Sequence, residues 1–180
     1  MKKEFKPFNS IVPCPVVLLS VIGENGSNII TLSWAANVCS KPPMVVVGIR
    51  PSRHSYKLVK KAGDFVLNIP SRDMLNVVEF AGTKSGRDYD KFESLGLTPM
   101  PSKSITSPMI KECLLNIECK VTQTMNLGSH DLFIAEVLKV HLDESVLDAD
   151  KKNPDPTRMK LFTYLPIGGE YWEVGGRIQN

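Results

Sequence analysis

Between Cys113 and Thr122 lies the clearest alternation in the chain: Cys113, Leu115, Ile117, Cys119 and Val121 fall on one side, and Asn116, Glu118, Lys120 and Thr122 on the other. A repeat of two belongs to an extended strand whose faces meet different surroundings, and a helix cannot present it. A strand needs a partner, and the run Leu132 to Leu142, reached through the Gly128-Ser129-His130 corner, is the expected antiparallel one. Similar signals recur along the chain. Pro15 to Ile22 is rich in β-branched residues and ends at Gly23-Glu24-Asn25-Gly26, where an Asn-Gly pair favours a hairpin. The returning run Asn28 to Trp34 sets Ile30, Leu32 and Trp34 on one face and Ile29, Thr31 and Ser33 on the other. Met44 to Ile49 is apolar on both sides and reads as a buried strand; Asp64 to Ile69 is a strand closed by Pro70. Leu161 to Leu165 and Tyr171 to Val174 are short strands around Gly168-Gly169. Between them, Ala35 to Ser40 is small and polar, and Pro42-Pro43 is expected to stop regular pairing.

Helices are few. One is predicted with Ser52 as N-cap and Tyr56, Leu58, Val59 and Ala62 as apolar positions. A second covers Ser71 to Ala81, with Met74, Leu75, Val78 and Ala81 buried and Gly82 as its stop. A single turn surrounds Lys91-Phe92. Thr83 to Asp88 reads as a polar loop, Pro99, Pro101 and Pro108 make Thr98 to Pro108 a loop, and Asp143 to Arg158 reads as a surface excursion. Many strands with short helices, no regular βαβ alternation and no glycine-rich nucleotide fingerprint point to a mainly β barrel or sandwich. A length of 180 residues fits one domain, taken as 1–180.

Composition removes several alternatives. A net charge of +3, from 22 basic and 19 acidic residues spread along the chain, does not indicate a nucleic-acid partner. A β-barrel of the oligonucleotide-binding type would interleave basic residues with exposed aromatics; aromatics are 7% here, and the Cys113–Thr122 strand contains none. The longest apolar stretches are too short to span a bilayer, so no membrane partner is expected. The first residues lack the apolar core of an export signal, so a cytoplasmic protein with Cys14, Cys39, Cys113 and Cys119 as free thiols is expected. No CxxC and no Cys/His cluster supports a metal site.

Three stretches are candidates for chemistry. Asn28 to Trp34 keeps Asn, Thr and Ser beside a Trp and then turns small-residued, which leaves room for a flat ligand; the alternative is an edge strand with a wet face. Arg50 to Ser55 gathers hydroxyls and cations where a helix begins, which suits a phosphate dianion; the alternative is simple capping by Ser52 with solvated cations. Gly128-Ser129-His130-Asp131 places an imidazole at a corner between long strands, where it either meets a ligand or lies on the surface. His141 lies at a strand position and reads as structural.

Together these stretches resemble the flavin reductase-like family. The resemblance rests on Asn28, Thr31, Ser33 and Trp34, the Ser40-x-Pro42-Pro43 exit, and Arg50-Pro51-Ser52-Arg53-x-Ser55. It continues through Phe65-x-x-Asn68-Ile69-Pro70, Ser85-Gly86-Arg87-Asp88-x-Asp90-Lys91-Phe92, Gly128-x-His130-x-x-Phe133 and Gly169-x-Tyr171-Trp172-x-x-Gly175. The chain looks most similar to the flavoredoxin-like branch, with Ser129 where the family commonly has Asp, and Val174 where it has Leu.

The resemblance implies a Greek-key-like split β-barrel with a few short helices, and FMN bound near a homodimer interface. By that likeness Asn28, Thr31, Ser33, Trp34 and Ala35 line the isoalloxazine, and Ser52, Arg53 and Ser55 hold the phosphate. Lys91 approaches either the phosphate or the N1/O2 side of the flavin, or is simply a solvated helix lysine. His130 approaches the ring as a modulator, and Cys39 lies near it or is a small buried thiol. The flavin carries the redox chemistry, so no side-chain nucleophile is required. The implied activity is an FMN-dependent oxidoreductase. NAD(P)H or a redox protein serves as donor, and flavin, a ferric chelate or a redox protein as acceptor. An electron carrier without NAD(P)H turnover is the alternative.

Overall fold

The structure is a computed structural model that describes residues 1–24 and 26–178. Its main element is a seven-stranded antiparallel sheet. The strands are β1 (Val17–Gly23), β2 (Gly26–Leu32), β3 (Ala35–Ser40), β4 (Pro43–Ile49), β5 (Asp64–Ile69), β8 (Leu115–Asn126) and β9 (Asp131–Leu142). Their order is β2-β1-β5-β8-β9-β4-β3. Two small hairpins stand apart: β6 (Pro99–Met100) with β7 (Met109–Ile110), and β10 (Phe162–Leu165) with β11 (Glu170–Glu173). The helices are α1 (His54–Ala62), α2 (Leu75–Thr83) and α3 (Lys91–Leu95). Asn25, half of the predicted Asn-Gly turn, lies outside the described residues, but Gly23 pairs with Gly26 across that turn.

The sheet curls into a barrel that does not close. Its interior collects Val17, Leu19 and Val21 of β1, Ile30 and Leu32 of β2, and Val45, Val47 and Ile49 of β4. Phe65, Cys119 and Phe133, from β5, β8 and β9, join them, with Val59 of α1. A flat sheet could not bring β2 at one end, β4 near the other and the central strands into one cluster. Residues of opposite parity, Leu18 and Ile29, serve a second core outside the barrel, built from Val77, Val78 and Ala81 of α2, Phe92 of α3, Ile110 and Phe162. Burial on both faces explains why β1 reads as a nearly continuous apolar run.

The polar side of the clearest strand is buried over its first half, at Asn116 and Glu118, and exposed at Lys120 and Thr122. Glu118 is wholly inaccessible and accepts from the backbone N–H groups of Lys103 and Ser104 at 2.8 and 2.7 Å, and it pairs with His141 at 2.6 Å. Asp64 accepts from the Thr106 and Ser107 N–H groups and hydroxyls. Asn68 donates to the Leu18 carbonyl and the Ser20 hydroxyl, and accepts from the Ile110 N–H and the Asn116 amide. Beyond the two residues of β6, the stretch expected to be all loop has no strand partner for its backbone; side chains on β5 and β8 satisfy part of it instead. Among the described residues no buried side-chain nitrogen or oxygen lacks a partner.

Four sequence expectations need correction. Ala35 to Ser40 is a strand, and pairing runs to Ser40 opposite Pro43, because a proline is tolerated as the first residue of a strand. Ser52 does not cap α1: the chain turns across Pro51-Ser52, with the Arg53 N–H on the Arg50 carbonyl at 2.9 Å, and Arg53 takes the cap position without a side-chain bond. Gly82 does not stop α2, which continues to Thr83; a Cβ there would sit 3.3 Å from the Thr31 Cβ, so the glycine lets helix and strand approach. Leu75 is exposed and Val77 buried, because a 3-10 turn at Arg72–Met74 resets the phase of the helix.

Removing Asn68 tests the polar lattice. Asn68→Ala strands the Ile110 N–H and removes one of the two bonds of the buried Asn116 amide, so unfolding in urea is expected to show a loss of about 3 kcal/mol. A loss below about 1 kcal/mol would mean that water or relaxation replaces those bonds.

Candidate functional site

β2, the start of α1 and the end of α2 converge on a cleft of about 110 Å³. Its walls are Asn28 and Ile30 of β2, Ser52 to Ser55 at the entry to α1, Ala81 and Gly82 of α2, the loop from Lys84 to Arg87, and Lys91. Four of these side chains, Arg53, Lys84, Arg87 and Lys91, are cationic and none is acidic. The first N–H groups of α1 add the positive end of the helix dipole.

The two innermost polar contacts fix the cleft's shape. The Asn28 amide donates to the Ser55 hydroxyl at 2.7 Å, and both side chains are buried. The Lys91 ammonium, only 3% exposed, donates to the carbonyls of Ile29 at 2.8 Å and Ala81 at 2.7 Å. Ala81 lies in the last turn of α2, whose carbonyls have no helical partner, so a cation is favoured there. An ammonium has three donors, and Lys91 uses two within the described residues. Burial, reinforced by the Arg53 charge, brings its pKa down to about 8. His54 is also held below the usual imidazole range, by burial and by the charges of Arg87 and Lys91. Burial is the larger cause of each shift and neighbouring positive charge the smaller, and no acidic side chain lines the cleft.

The loop carrying Gly86 presses directly on this site. A side chain at Gly86 would run into the Asn28 amide oxygen and would stand 2.9 Å from His54 Cδ2, so only glycine fits. Arg87 beside it donates to the Ser52 carbonyl at 3.3 Å.

A second feature lies at the corner leaving β2. The rings of Trp34 and His130 stack with planes 2° apart and centroids 5.8 Å apart. Arg50 Nε donates to His130 Nε2 at 3.4 Å, which leaves the ring proton on Nδ1, facing the Ser129 hydroxyl at 2.9 Å. Burial and the Arg50 charge both lower the His130 pKa, so the ring is neutral at pH 7. Behind it Asp131 accepts from Tyr56 at 2.6 Å and from Asn126 at 2.8 Å, which ties the corner to α1.

The sequence expectations divide accordingly. Asn28, Ser52, Arg53, Ser55 and Lys91 meet at the cleft, while Trp34 and His130 meet at the corner, with Ser33 and Ala35 flanking Trp34. Thr31 lines neither feature; its hydroxyl donates to the Val78 carbonyl at 2.6 Å. Cys39 is exposed on β3, not a small buried thiol, because β3 is an outermost strand and, beyond Ala35, all of its residues are exposed. Lys91 is not a solvated helix lysine. His141 is structural, paired with Glu118. Sequence reasoning left out His54, Lys84 and Arg87 as site residues; the signal was the Ser85-Gly86-Arg87 run, whose glycine marks a close backbone approach.

Ser129 offers a test of the corner's electrostatics. Ser129→Asp puts a carboxylate on the ring, so the His130 titration followed by NMR is expected to move from below the usual imidazole value to above it. An unmoved midpoint would show that residue 129 does not face the ring in solution.

Comparison with known proteins bears on the identity of this arrangement. Residues 9–159 match the family model described as the flavin reductase like domain. An uncharacterized protein of Pyrococcus abyssi is 39% identical over 141 residues, covering 77% of this chain and 81% of that one. Among solved structures, the flavoredoxin of Desulfovibrio vulgaris (Miyazaki F) superposes with a TM-score of 0.92 at 32% identity, covering 100% of this chain and 97% of that one. A flavoredoxin from Methanosarcina acetivorans gives 0.91 at 29% identity, covering 100% and 95%. The open barrel is thus the split barrel of these proteins, and the chain belongs to the flavin reductase-like family, with a structural likeness to flavoredoxins over its whole length.

Proposed function

We propose that this protein binds FMN and passes electrons through it, as an FMN-dependent oxidoreductase that works as a homodimer. NAD(P)H or a redox protein is the donor, and flavin, a ferric chelate or a redox protein the acceptor. The observation that carries the reading is the cleft: Arg53, Lys84, Arg87 and Lys91 around a helix start, with no carboxylate among the walls. That donor set fits a phosphate dianion and little else of its size.

Within this reading Ser52, Arg53 and Ser55 grip the phosphate, and Lys91 adds charge from beneath while holding β2 in place. Asn28 and Thr31 of β2, Ser33 and Trp34 of the corner and Ala35 at the start of β3 form the wall against which the isoalloxazine lies, Thr31 through its backbone since its hydroxyl is taken by α2. The neutral His130 ring, stacked on Trp34, supplies a polarisable wall without adding charge. Bound FMN supplies hydride acceptance and one- or two-electron release. The chain's part is to orient the ring, leave one face open and set the local potential. The dimer is supported by β3: beyond Ala35 every residue is exposed, including Val38 and Cys39, and Trp34 is partly exposed beside it. An uncovered edge of this kind calls for a partner, and a second copy would place Cys39 near the ring.

A carrier without NAD(P)H turnover is the second reading, favoured by the likeness to two flavoredoxins. Steady-state NAD(P)H oxidation with free flavin or a ferric chelate separates the two.

The purified protein is expected to keep flavin absorption bands through desalting, or to gain them when soaked in FMN; protein that stays colourless after soaking excludes the proposal. Replacing the phosphate grip with Arg53→Ala, Ser55→Ala is expected to weaken FMN binding by at least about tenfold, since charge-assisted hydrogen bonds are each worth about 1.5–3 kcal/mol. Unchanged affinity would remove the phosphate from this cleft. Lys91 adds a pH signature. Its pKa of about 8 means that the cleft is fully charged below that pH and loses one charge above it. FMN affinity should therefore hold steady near pH 7 and fall as pH rises through 8, whereas riboflavin, lacking the phosphate, should show no such step. Parallel curves for the two ligands would show that Lys91 does not serve the phosphate.

A further inference from the structure

Resting on that reading, the charge carried by α1 bears on the kind of partner that meets the site. Between Arg50 and Gly63 the chain has five cations, Arg50, Arg53, Lys57, Lys60 and Lys61, and no acidic residue. The whole chain carries only +3, so its positive excess is contained in this one segment. Arg53 at the cap, Lys57 and Lys60 stand at i, i+4 and i+7, which sets them along one side of the helix, and all three are exposed. Arg50, at the turn before them, is exposed too. We propose that this cationic stripe docks an acidic electron-transfer protein, which exchanges electrons with the flavin.

Helix stability does not account for the stripe. A cation at the cap faces the positive end of the helix dipole, the first turn has no acid to offset it, and like charges four apart repel. Lys61 is tied to Glu24, yet among the described residues none of Arg50, Arg53, Lys57 and Lys60 holds a carboxylate. Asp88 and Asp90 share the walls of a groove with Lys57 without pairing with it. A phosphate in the cleft would engage Arg53 and leave the other three without an anion. The stripe also begins where the site does: Arg50 bonds His130, which stacks on Trp34 in the wall proposed for the isoalloxazine. A protein seated along it therefore lies beside the ring. Complementary surface charge sets orientation and on-rate more than affinity, which suits a carrier that must leave after each transfer. Two one-electron carriers are oxidised for each FMN reduced, and the flavin's two protons come from water. Nucleic acid fits less well: Tyr56, the one Phe, Tyr or Trp of α1, is half-buried and bonded to Asp131, so the helix offers no stacking platform.

The probe is an acidic plant-type [2Fe–2S] ferredoxin, with the basic protein cytochrome c as its charge-reversed control. Calorimetric titration of the FMN-loaded chain is expected to show ferredoxin binding at about 20 mM salt that weakens at least about tenfold by about 200 mM, and no binding of cytochrome c. Combining Lys57→Glu with Lys60→Glu should weaken ferredoxin binding about tenfold and slow flavin bleaching by reduced ferredoxin to match, while dithionite bleaches variant and parent alike. Lys57→Arg with Lys60→Arg keeps the charge and should keep the parent's values. Both lysines are exposed, and FMN affinity measured on each variant reports an intact cofactor site. Three results overturn the inference and leave the FMN proposal standing: no ferredoxin binding at low salt, binding unmoved by charge reversal, or displacement of ferredoxin by a single-stranded oligonucleotide. A chain that takes up no FMN overturns that proposal itself, and the redox class of the partner with it.

Discussion

An outermost strand has a row of carbonyls and N–H groups with no neighbouring strand to meet them, and β2 is such a strand. Its position makes the problem acute, because it is buried on both faces, Ile30 and Leu32 inside the barrel and Ile29 beneath α2 and α3. The carbonyl of Ile29 is met by the ammonium of Lys91, which also closes the carbonyl end of α2. One buried cation thus joins the open edge of the sheet, the last turn of one helix and the first residue of the next. Asn28 makes the corresponding link to α1 through Ser55. The edge left by the split barrel becomes one wall of a cleft instead of a site for another strand.

That solution has an electrostatic consequence. A buried ammonium is costly, and the lowered pKa of Lys91 measures the strain of keeping it charged beside Arg53. His54 is shifted in the same direction, by burial first and then by the charges of Arg87 and Lys91. The fold accepts this because backbone carbonyls, not a carboxylate, hold Lys91, and carbonyls leave the net charge uncancelled. A Glu in that role would have satisfied the geometry and neutralised the cleft. The positive potential is therefore built into the architecture before any anion arrives, which is what preorganisation requires.

The sequence revealed elements where local pattern and tertiary context agree. Asp64–Ile69 and the β8–β9 pair were legible because alternation and flanking turns coincide with the strands. Ala35–Ser40 was not, since small polar residues carry no periodic signal and the strand is defined by its pairing with β4. Gly82 was legible as special but not as to why: a glycine near a helix end reads as a stop, and only the packing on Thr31 shows it to be a point of close approach. At the site, the hydroxyls and cations of Ser52–Ser55 marked a stretch that does line the cleft, whereas Lys91 gave no hint of being buried, because its burial depends on carbonyls far away in sequence. Lys84 and Arg87 were hidden for a related reason: a polar loop reads as solvent-facing until something is seen to fold under it.

The two halves of the site are held in register by one short connection. Arg50 at its start reaches His130 at the corner, and Ser52, Arg53 and Ser55 at its end line the cleft. The turn between them is closed by the Arg53 N–H on the Arg50 carbonyl and clasped from outside by Arg87 on the Ser52 carbonyl. One turn of helix later, Tyr56 reaches back to Asp131 beside His130 and fastens the same connection a second time. A ligand with a flat end and an anionic end needs a fixed span between the two walls that receive them. Here both walls hang from a single braced turn, so neither can shift without the other.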